Sequence, residues 1–434
     1  MSEFFKFKER NTSFGKEIVG GITTFLAMSY ILAVNPSILS NAGMDWNSVF
    51  TATAVSGAIA TLVMAFCANL PVALAPGLGL NAFFTYSVVL GMGCTWQFAL
   101  TAVLAEGVLF IILSFFGVRE AIMRSIPVNL RKAVSVGIGL FITIIGLANA
   151  GICTGDTGTL IGFVNFDWKH ASALVATIGL IITIILYVLK VPGAILIGII
   201  LTTIIGIPFG VTKIPENFTP LATPAAPYFF QFEFANILSM KFFIVFFTFL
   251  FTDLFDTIGT LLGVSEQAGL SDKDGNVPNV KGALLSDAVG TVVGACLGTS
   301  TVTSFVESTS GVAAGAKTGF ASVATAALFL VALFLNPLFA LIPSAATAPA
   351  LIFVGFLMMK AVSGIDFKDA TEGIPAFITI MVMPFSYSVS KGIVWGVISY
   401  AICKLVTRKI KEVHVITWIL ALVFIADFVF EAVK

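Results

Sequence analysis

The sequence predicts an all-α polytopic membrane protein, and three observations support this fold class. Hydrophobic residues make up 58% of the 434 residues and charged residues 11%, against roughly 45–50% and 25% in soluble domains. Apolar segments of about 20 residues, long enough to cross a ~30 Å hydrocarbon core, follow one another along the chain. The third segment of each half is interrupted at a corresponding place. Residues 1–434 are therefore interpreted as one integral membrane domain with 14 transmembrane segments in a 7+7 inverted repeat.

The N-terminus is basic and precedes the first long apolar segment without the small-residue cleavage site of a signal peptide. It is therefore expected to stay in the cytosol, with the protein in the cell membrane. The first seven predicted segments, with the third interrupted, are 17–38, 49–70, 72–90, 96–117, 131–150, 170–190 and 193–211. Together they form the first predicted repeat, residues 17–211.

A proline-rich connection separates the two halves. The next seven predicted segments, with the third again interrupted, are 242–263, 282–298, 300–316, 319–341, 346–362, 373–389 and 391–406. They form the second predicted repeat, residues 242–406. Residues 414–432 form an extra C-terminal apolar helix, and the prediction keeps both possibilities for it, that it crosses the bilayer and that it does not. Seven is odd, so the second repeat enters from the opposite side. With a cytosolic N-terminus, most lysines and arginines fall on cytosolic loops, as the positive-inside rule requires.

The interrupted segments are predicted to contain extended backbone followed by a half-helix. The first carries Pro71, Pro76, Gly77 and Gly79 within an apolar run, and the second begins with the hydroxyl-rich stretch Thr299–Ser304. Proline removes a helix donor, so a continuous helix is unfavourable. Broken segments survive in a bilayer only where they line a cavity, and matching interruptions in two halves indicate the binding site of a transporter.

The segment that starts near Phe242 carries two carboxylates, Asp253 and Asp256, about halfway along it. At ~1.5 Å rise per residue, Asp253 lies roughly 16 Å into the bilayer, where an ionised group is expensive and indicates a functional site. Residues at i and i+3 share one helix face and repel each other, which makes the pair a candidate proton carrier. Glu307 adds a third carboxylate of similar depth. The alternative is a satisfied pair that only holds helices in register.

The other features are interpreted more simply. A tandem GxxxG pattern from Gly290 to Gly298 indicates close helix packing. The five cysteines form no CxxC pair and there are two histidines, so no disulfide framework, metal site or cofactor is predicted. The net charge of zero implies no nucleic-acid partner. The remaining carboxylates within segments are favoured as structural: Glu106, Asp287 and Asp427.

Three motifs resemble the nucleobase–ascorbate transporter (nucleobase cation symporter-2) family, in particular its AzgA-like purine permeases. They are Ala75-Pro-Gly-Leu-Gly-Leu-Asn81-Ala-Phe-Phe, Thr252-Asp253-Leu-Phe-Asp256-Thr-Ile-Gly-Thr-Leu, and the run from Val306 to Gly319 that contains Glu307. The resemblance covers essentially the whole chain. It implies a substrate-holding core of segments 1–4 and 8–11, a gate of segments 5–7 and 12–14, and proton-coupled uptake of purine nucleobases. Guanine or hypoxanthine is the favoured substrate, with adenine as the alternative. The uracil and xanthine branch resembles Glu/Gln-Asn-x-Gly where this chain has Glu307-Ser-Thr-Ser-Gly311, which weakens that assignment.

The chemistry of a planar, neutral purine suits the candidate residues. Carboxylates of Asp253 and Glu307 accept hydrogen bonds from ring N–H groups, and Asn81 offers both a donor and an acceptor. Phe83 and Phe84 either stack on the base or belong to an apolar lining. Asp253, Asp256 and Glu307 are the predicted proton-coupling groups. Sodium coupling through Thr299–Ser304 is the competing mechanism.

Three other classes of protein are compared with this interpretation. An anion transporter of the sulfate-permease kind should carry basic or neutral groups at its half-helices, and Glu307 argues against it. An intramembrane aspartyl protease draws its aspartates from separate helices and has a Gly-x-Gly-Asp pattern that is absent here. A purely structural protein needs no matched broken segments. A homodimer stays open as the assembly.

Overall fold

The computed structural model describes residues 2–116, 127–154, 162–164, 168–216, 218–270 and 277–433. The chain is mostly helical (71%), as predicted. The helices of the first half are α1 (Phe14–Met28), α2 (Ile31–Ser40), α3 (Trp46–Val63), α4 (Leu78–Ala82), α5 (Trp96–Phe116), α6 (Val128–Asn149), α7 (Ala171–Val188) and α8 (Ala194–Gly206). Helix α3 continues as a π-helical turn over Met64–Ala68 and α4 as a longer one over Phe83–Gly91.

The helices of the second half are α9 (Met240–Gln267), α10 (Val280–Leu297), α11 (Ser308–Ala313), α12 (Gly319–Ala332), α13 (Asn336–Ala340), α14 (Ser344–Met359), α15 (Ala370–Phe385), α16 (Val389–Val406) and α17 (Val415–Val433). Side-chain oxygens cap several of them: Asp45 accepts from the Ser48 N–H before α3, and Ser239 accepts from the Phe242 N–H before α9. Such caps satisfy first-turn donors that have no partner in their own helix. Where each helix begins therefore follows partly from local sequence.

Ten helices in the described part are long and apolar enough to cross a membrane, and four shorter apolar helices accompany them. The chain is thus a multi-pass membrane protein. Each segment predicted from hydropathy overlaps at least one of the helices above, and residues 414–432 overlap α17. The count of 14 crossings and the inverted symmetry of residues 17–211 and 242–406 stay predictions.

Both interrupted segments contain the predicted extended backbone, and the two pair with each other. Strand β1 (Leu74–Pro76) is antiparallel to strand β4 (Val302–Ser304), with Ala75 opposite Thr303. Helices α4 and α11 follow these strands. Because the strands are antiparallel, the two half-helices lead away in opposite directions.

Polar side chains from neighbouring helices satisfy the backbone of these extended segments. The Thr61 hydroxyl accepts from the Leu74 N–H at 2.9 Å, and the Thr291 hydroxyl donates to the Val302 carbonyl at 3.0 Å. The Ser322 hydroxyl lies 2.8 Å from the Leu70 carbonyl, to which it donates. Unsatisfied backbone groups are costly at membrane depth, so these buried hydroxyls permit strands there.

The helices pack in two groups. Helices α1–α5 and α9–α12 pack mainly on one another, and we call them the core group; α6–α8 and α14–α16 form the gate group. The resemblance implies the same division. Helix α17 packs on α16. A second strand pair, β2 (Cys153–Thr154) with β3 (Gly162–Phe163), lies in a connection where no strand was predicted, since two-residue strands carry no periodic signal.

Candidate functional site

A cavity of ≈ 570 Å³ lies between the core group and the gate group, beside the paired strands. Its volume is in the range usual for small-molecule sites. The core group contributes Tyr30, Gly77, Leu78, Gly79, Leu80, Thr252, Asp256, Gly259, Thr260, Thr303, Ser304, Phe305, Val306 and Glu307. The gate group and the turn after α14 contribute Val128, Arg131, Lys132, Val134, Ser135, Ile138, Val354, Leu357, Met358, Lys360 and Ala361.

The cavity lies where the two broken segments meet. The first turn of α4 lines one side, and its N–H groups lack an acceptor four residues earlier in their own helix. The chain from β4 to α11 lines the adjoining side and includes Glu307. Gly79 brings α4 close to α6: a Cβ atom added there would lie 2.6 Å from the Ile138 Cγ2 atom. A side chain at this position would therefore push the core group and the gate group apart.

Two of the three predicted proton-coupling carboxylates, Asp256 and Glu307, line the cavity together. The Tyr30 hydroxyl donates to Glu307 Oε1 at 2.6 Å. The residue Tyr30 is 1% exposed. A short hydrogen bond to an ionised oxygen holds one side of that carboxylate in a fixed orientation. The sequence analysis missed Tyr30, whose only signal was a polar ring in the middle of an apolar segment.

Asp253 is fully buried and does not line the cavity. The Thr257 hydroxyl lies 3.4 Å from Asp253 Oδ1 and 2.8 Å from the Thr303 hydroxyl. It donates to Asp287 Oδ1 at 2.5 Å. Asp253 therefore belongs to a buried polar cluster behind the wall of the cavity, and Thr303 is the member that both joins this cluster and lines the cavity.

The hydroxyl-rich stretch before α11 is anchored to three other helices. The Thr299 hydroxyl accepts from the Asn35 amide at 2.8 Å, and the Thr301 hydroxyl donates to Glu106 Oε2 at 2.8 Å. The Ser300 hydroxyl donates to Asn81 Oδ1. The Thr301 bond gives Glu106 a contact to the broken segment, and Asp287 accepts from Thr257, which in turn bonds to Thr303. Both contacts are in keeping with the structural role favoured for these residues; Asp427 lies outside the described side chains.

The structure places Asn81, Phe83 and Phe84 behind the cavity wall. Asn81 is fully buried against Ser300, and its amide nitrogen lies 3.5 Å from the Pro76 carbonyl oxygen. The Phe83 ring packs edge to face on Phe249 with centroids 4.8 Å apart, and Phe84 is 6.5 Å from the same ring. The aromatic residues in the lining are Tyr30 and Phe305, which lies three residues after Val302 in the second broken segment. A direct role for Asn81, Phe83 or Phe84 stays a prediction.

The two ends of the interface between the groups differ. At one end the cavity lining includes Arg131, Lys132 and Lys360, for which the positive-inside rule predicts the cytosolic side. At the other end the Tyr86 hydroxyl accepts from the amides of Asn41 in the core group and Asn149 in the gate group, each at 3.0 Å. The groups are therefore joined by hydrogen bonds at the end opposite the basic residues.

A cavity at the crossing of two broken segments, enclosed by two helix groups, defines this chain as a membrane transporter. A family model described as the Permease family matches residues 15–395. The chain belongs to this family, the nucleobase–ascorbate transporters, which confirms the resemblance seen in its motifs. The family consists of permeases, so the chain is a transporter and not an enzyme.

Similar proteins agree with this assignment. The chain is 46% identical to the guanine/hypoxanthine permease PbuG of Bacillus subtilis over 442 residues, which cover 99% of this chain and 100% of that protein. It is 40% identical to the adenine permease AdeP of Escherichia coli over 431 residues, covering 99% and 96%. Among solved structures, the transmembrane domain of a cyanobacterium bicarbonate transporter, BicA, has the same fold: the TM-score is 0.62 at 17% identity, covering 88% of this chain and 97% of that one.

Proposed function

We propose that this protein takes up purine nucleobases across the cell membrane together with protons. The observation that carries the proposal is the cavity itself, in which two carboxylates, Asp256 and Glu307, lie beside apolar and aromatic surface. A purine is flat and neutral with N–H groups along its edge, so it suits an apolar slot with a few acceptors. The names of the two relatives support guanine or hypoxanthine as the preferred base and adenine as the alternative.

The proposed roles follow from position. Glu307 and Asp256 accept hydrogen bonds from the base, while Tyr30 orients Glu307. Asp253 and Asn81 act on the base through the cluster and strands behind the wall, where they hold Thr257 and Ser300. Phe83 and Phe84 act likewise by packing on Phe249.

Proton coupling is proposed for Asp253, Asp256 and Glu307. Two carboxylates in one cavity repel, which favours uptake of a proton by one of them; the site then carries one negative charge fewer and binds a neutral base at lower electrostatic cost. The competing sodium mechanism needs several oxygen ligands at the broken segment. The hydroxyls of Thr299, Ser300, Thr301 and Thr303 already hold other side chains, which favours the proton.

The test is uptake of radiolabelled hypoxanthine into proteoliposomes, with unlabelled guanine, adenine and uracil as competitors. We expect uptake to increase with an inward proton gradient, to collapse with a protonophore, and to be unchanged when K⁺ replaces Na⁺. Uptake that follows the sodium gradient and is unaffected by the protonophore would contradict the proton mechanism. Failure of all the purines to compete would remove the substrate assignment.

An anion transporter with the same architecture is the second candidate, because basic side chains, Arg131, Lys132 and Lys360, line one end of the cavity. The two carboxylates beside the strands oppose it, since they would repel an anion at the binding position. Bicarbonate or sulfate uptake into the same proteoliposomes distinguishes the two.

We further propose that the N-terminus and the basic end of the cavity face the cytosol, so that the described conformation is open inward. We also propose a homodimer as the assembly, to be checked by the mass of the purified protein in detergent.

A further inference from the structure

Two buried hydroxyl groups in the wall of the cavity have no hydrogen-bond partner within the described part of the chain. They belong to Thr252, which is 4% exposed, and Ser304, which is 3% exposed. Buried polar groups in proteins are nearly always hydrogen-bonded, so each exception needs a physical account. Each hydroxyl oxygen is also closed to water, so a molecule in the cavity becomes its partner when the side chain rotates to another staggered position.

Thr252 departs from the pattern of several other buried helical threonines. Thr183, Thr248 and Thr379 are buried, and each donates to the carbonyl four residues earlier at 2.8 Å. That bond satisfies a hydroxyl within its own helix. Thr252 lies one turn beyond Thr248 on α9 and does not make it. Its hydroxyl therefore has no bond to give up when the side chain rotates toward a group in the cavity.

Ser304 departs in the same way from its neighbours. The hydroxyls of Thr299, Thr301 and Thr303 each bond to a side chain from another helix. Ser304 ends strand β4, where it lies opposite Leu74, and no such bond forms. Its side chain lines the cavity three residues before Glu307.

Each hydroxyl accompanies one of the carboxylates in the cavity. Thr252 precedes Asp256 by one helical turn, which puts both on one face of α9. Ser304 precedes Glu307 in the second broken segment. An ionised carboxylate can only accept hydrogen bonds, whereas a hydroxyl can donate one. A carboxylate that stays ionised can therefore satisfy the N–H groups of a purine but not its ring nitrogens that accept.

We infer that the hydroxyls of Thr252 and Ser304 donate hydrogen bonds to the acceptor atoms of the bound base and so determine which purines this transporter binds. This inference rests on the proposed function, because it takes the substrate to be a purine. The carboxylates accept hydrogen bonds from the donor atoms of the base, and the hydroxyls donate hydrogen bonds to its acceptor atoms. A purine analogue that lacks one ring acceptor leaves a buried hydroxyl unpaired and binds more weakly.

The experiment compares Thr252→Val and Ser304→Ala with a matched control, Thr248→Val. Valine keeps the shape of threonine, and Thr248 is also 4% exposed on α9 but is bonded to the Ile244 carbonyl and is absent from the lining. Uptake of labelled hypoxanthine is measured in proteoliposomes containing equal amounts of monodisperse protein. The competitors are hypoxanthine and its 3-deaza, 7-deaza and 9-deaza analogues, each with one ring nitrogen replaced by carbon.

For the wild type we expect about tenfold weaker competition by the analogue that lacks the acceptor in contact with each hydroxyl. The KM for hypoxanthine should increase about tenfold in Thr252→Val and in Ser304→Ala. In each variant the penalty for one particular analogue should disappear, as a double-mutant cycle requires for two groups in contact. Thr248→Val should keep the wild-type constants.

Three results would overturn the inference. The first is an unchanged KM and unchanged competition by the analogues in both variants, and the second is an equal increase of KM in Thr248→Val. The third is a larger KM with every analogue penalty retained, which would mean that the hydroxyls only bind water. These results leave the proposed function standing as long as the wild type takes up hypoxanthine. If the wild type takes up no purine, both the proposed function and the inference are wrong.

Discussion

The hydrogen bond from Tyr30 to Glu307 provides the sharpest test of the proposed site. Tyr30 lies at the break between α1 and α2, and its hydroxyl donates to Glu307 Oε1 at 2.6 Å. Tyr30→Phe removes one oxygen and keeps the ring. One oxygen of Glu307 then loses its donor in a wall that is largely closed to water, and the carboxylate is free to turn away from the base.

The size of the effect follows from the type of bond. A hydrogen bond to a charged group contributes roughly 1.5–3 kcal/mol, and every 1.4 kcal/mol is about tenfold in an equilibrium constant. If the orientation of Glu307 is needed for binding, KM for hypoxanthine should therefore increase about 10- to 100-fold. The maximal rate should change far less, because the proposed role of Tyr30 is to orient Glu307 for binding and not to take part in the conformational change.

The assay is initial-rate uptake into proteoliposomes over a range of hypoxanthine concentrations, with the reconstituted protein quantified. Tyr187→Phe is the matched control, since its hydroxyl lies 3.5 Å from the Lys360 amine and the residue is 37% exposed outside the cavity lining. A wild-type KM in Tyr30→Phe would refute the positioning role. So would a loss of maximal rate at unchanged KM, which would indicate a role of Tyr30 in the conformational change.

Further predictions concern the other carboxylates, the strands, the outer contact and the stability of the gate group. Glu307→Gln and Asp253→Asn should abolish uptake while leaving folded protein in the membrane; wild-type affinity and rate in both would remove them from the mechanism. Asn81→Ala should increase KM at least several-fold through the lost contact to Ser300, and an unchanged KM with an unchanged order of competitors would contradict this. Tyr86→Phe removes the acceptor that joins the two groups, so a membrane-impermeant thiol reagent added outside should reach a single cysteine in the cavity wall faster than in the parent protein. Lys404→Met removes a cation that is 2% exposed and lies 2.8 Å from one oxygen each of Glu372 and Glu412; both ion pairs are then lost, so thermal unfolding in detergent should begin at a lower temperature.

Much of the fold could be predicted because a bilayer imposes strong local rules. Long apolar segments must form helices. One broken segment was predicted from the prolines and glycines within it and the other from its hydroxyl-rich start, and both contain extended backbone followed by a helix. The pairing of β1 with β4 could not be derived from hydropathy, since the two strands are more than 200 residues apart and neither has an internal signal for its partner.

The site could be predicted in part. The depth of Asp253 and Asp256 follows from helical rise alone, but residues at i and i+3 on a helix of 3.6 residues per turn point about 60° apart. Only the packing of α9 shows that Asp256 lines the cavity while Asp253 is buried near Thr257. The same limit applies to Asn81: its sequence neighbourhood indicates a broken segment, and the tertiary structure turns its side chain toward Ser300.

The sequence by itself determined the solvent in which this protein folds, the helical segments, the two breaks and the family, because each depends on composition or on residues near one another in the chain. Tertiary structure alone decided which polar groups share the cavity. Tyr30 and Glu307 are 277 residues apart, and no local pattern brings a hydroxyl to a carboxylate over that distance. Their contact exists because the break after α1 and the start of α11 are packed against each other by the surrounding helices, which is a property of the whole core group.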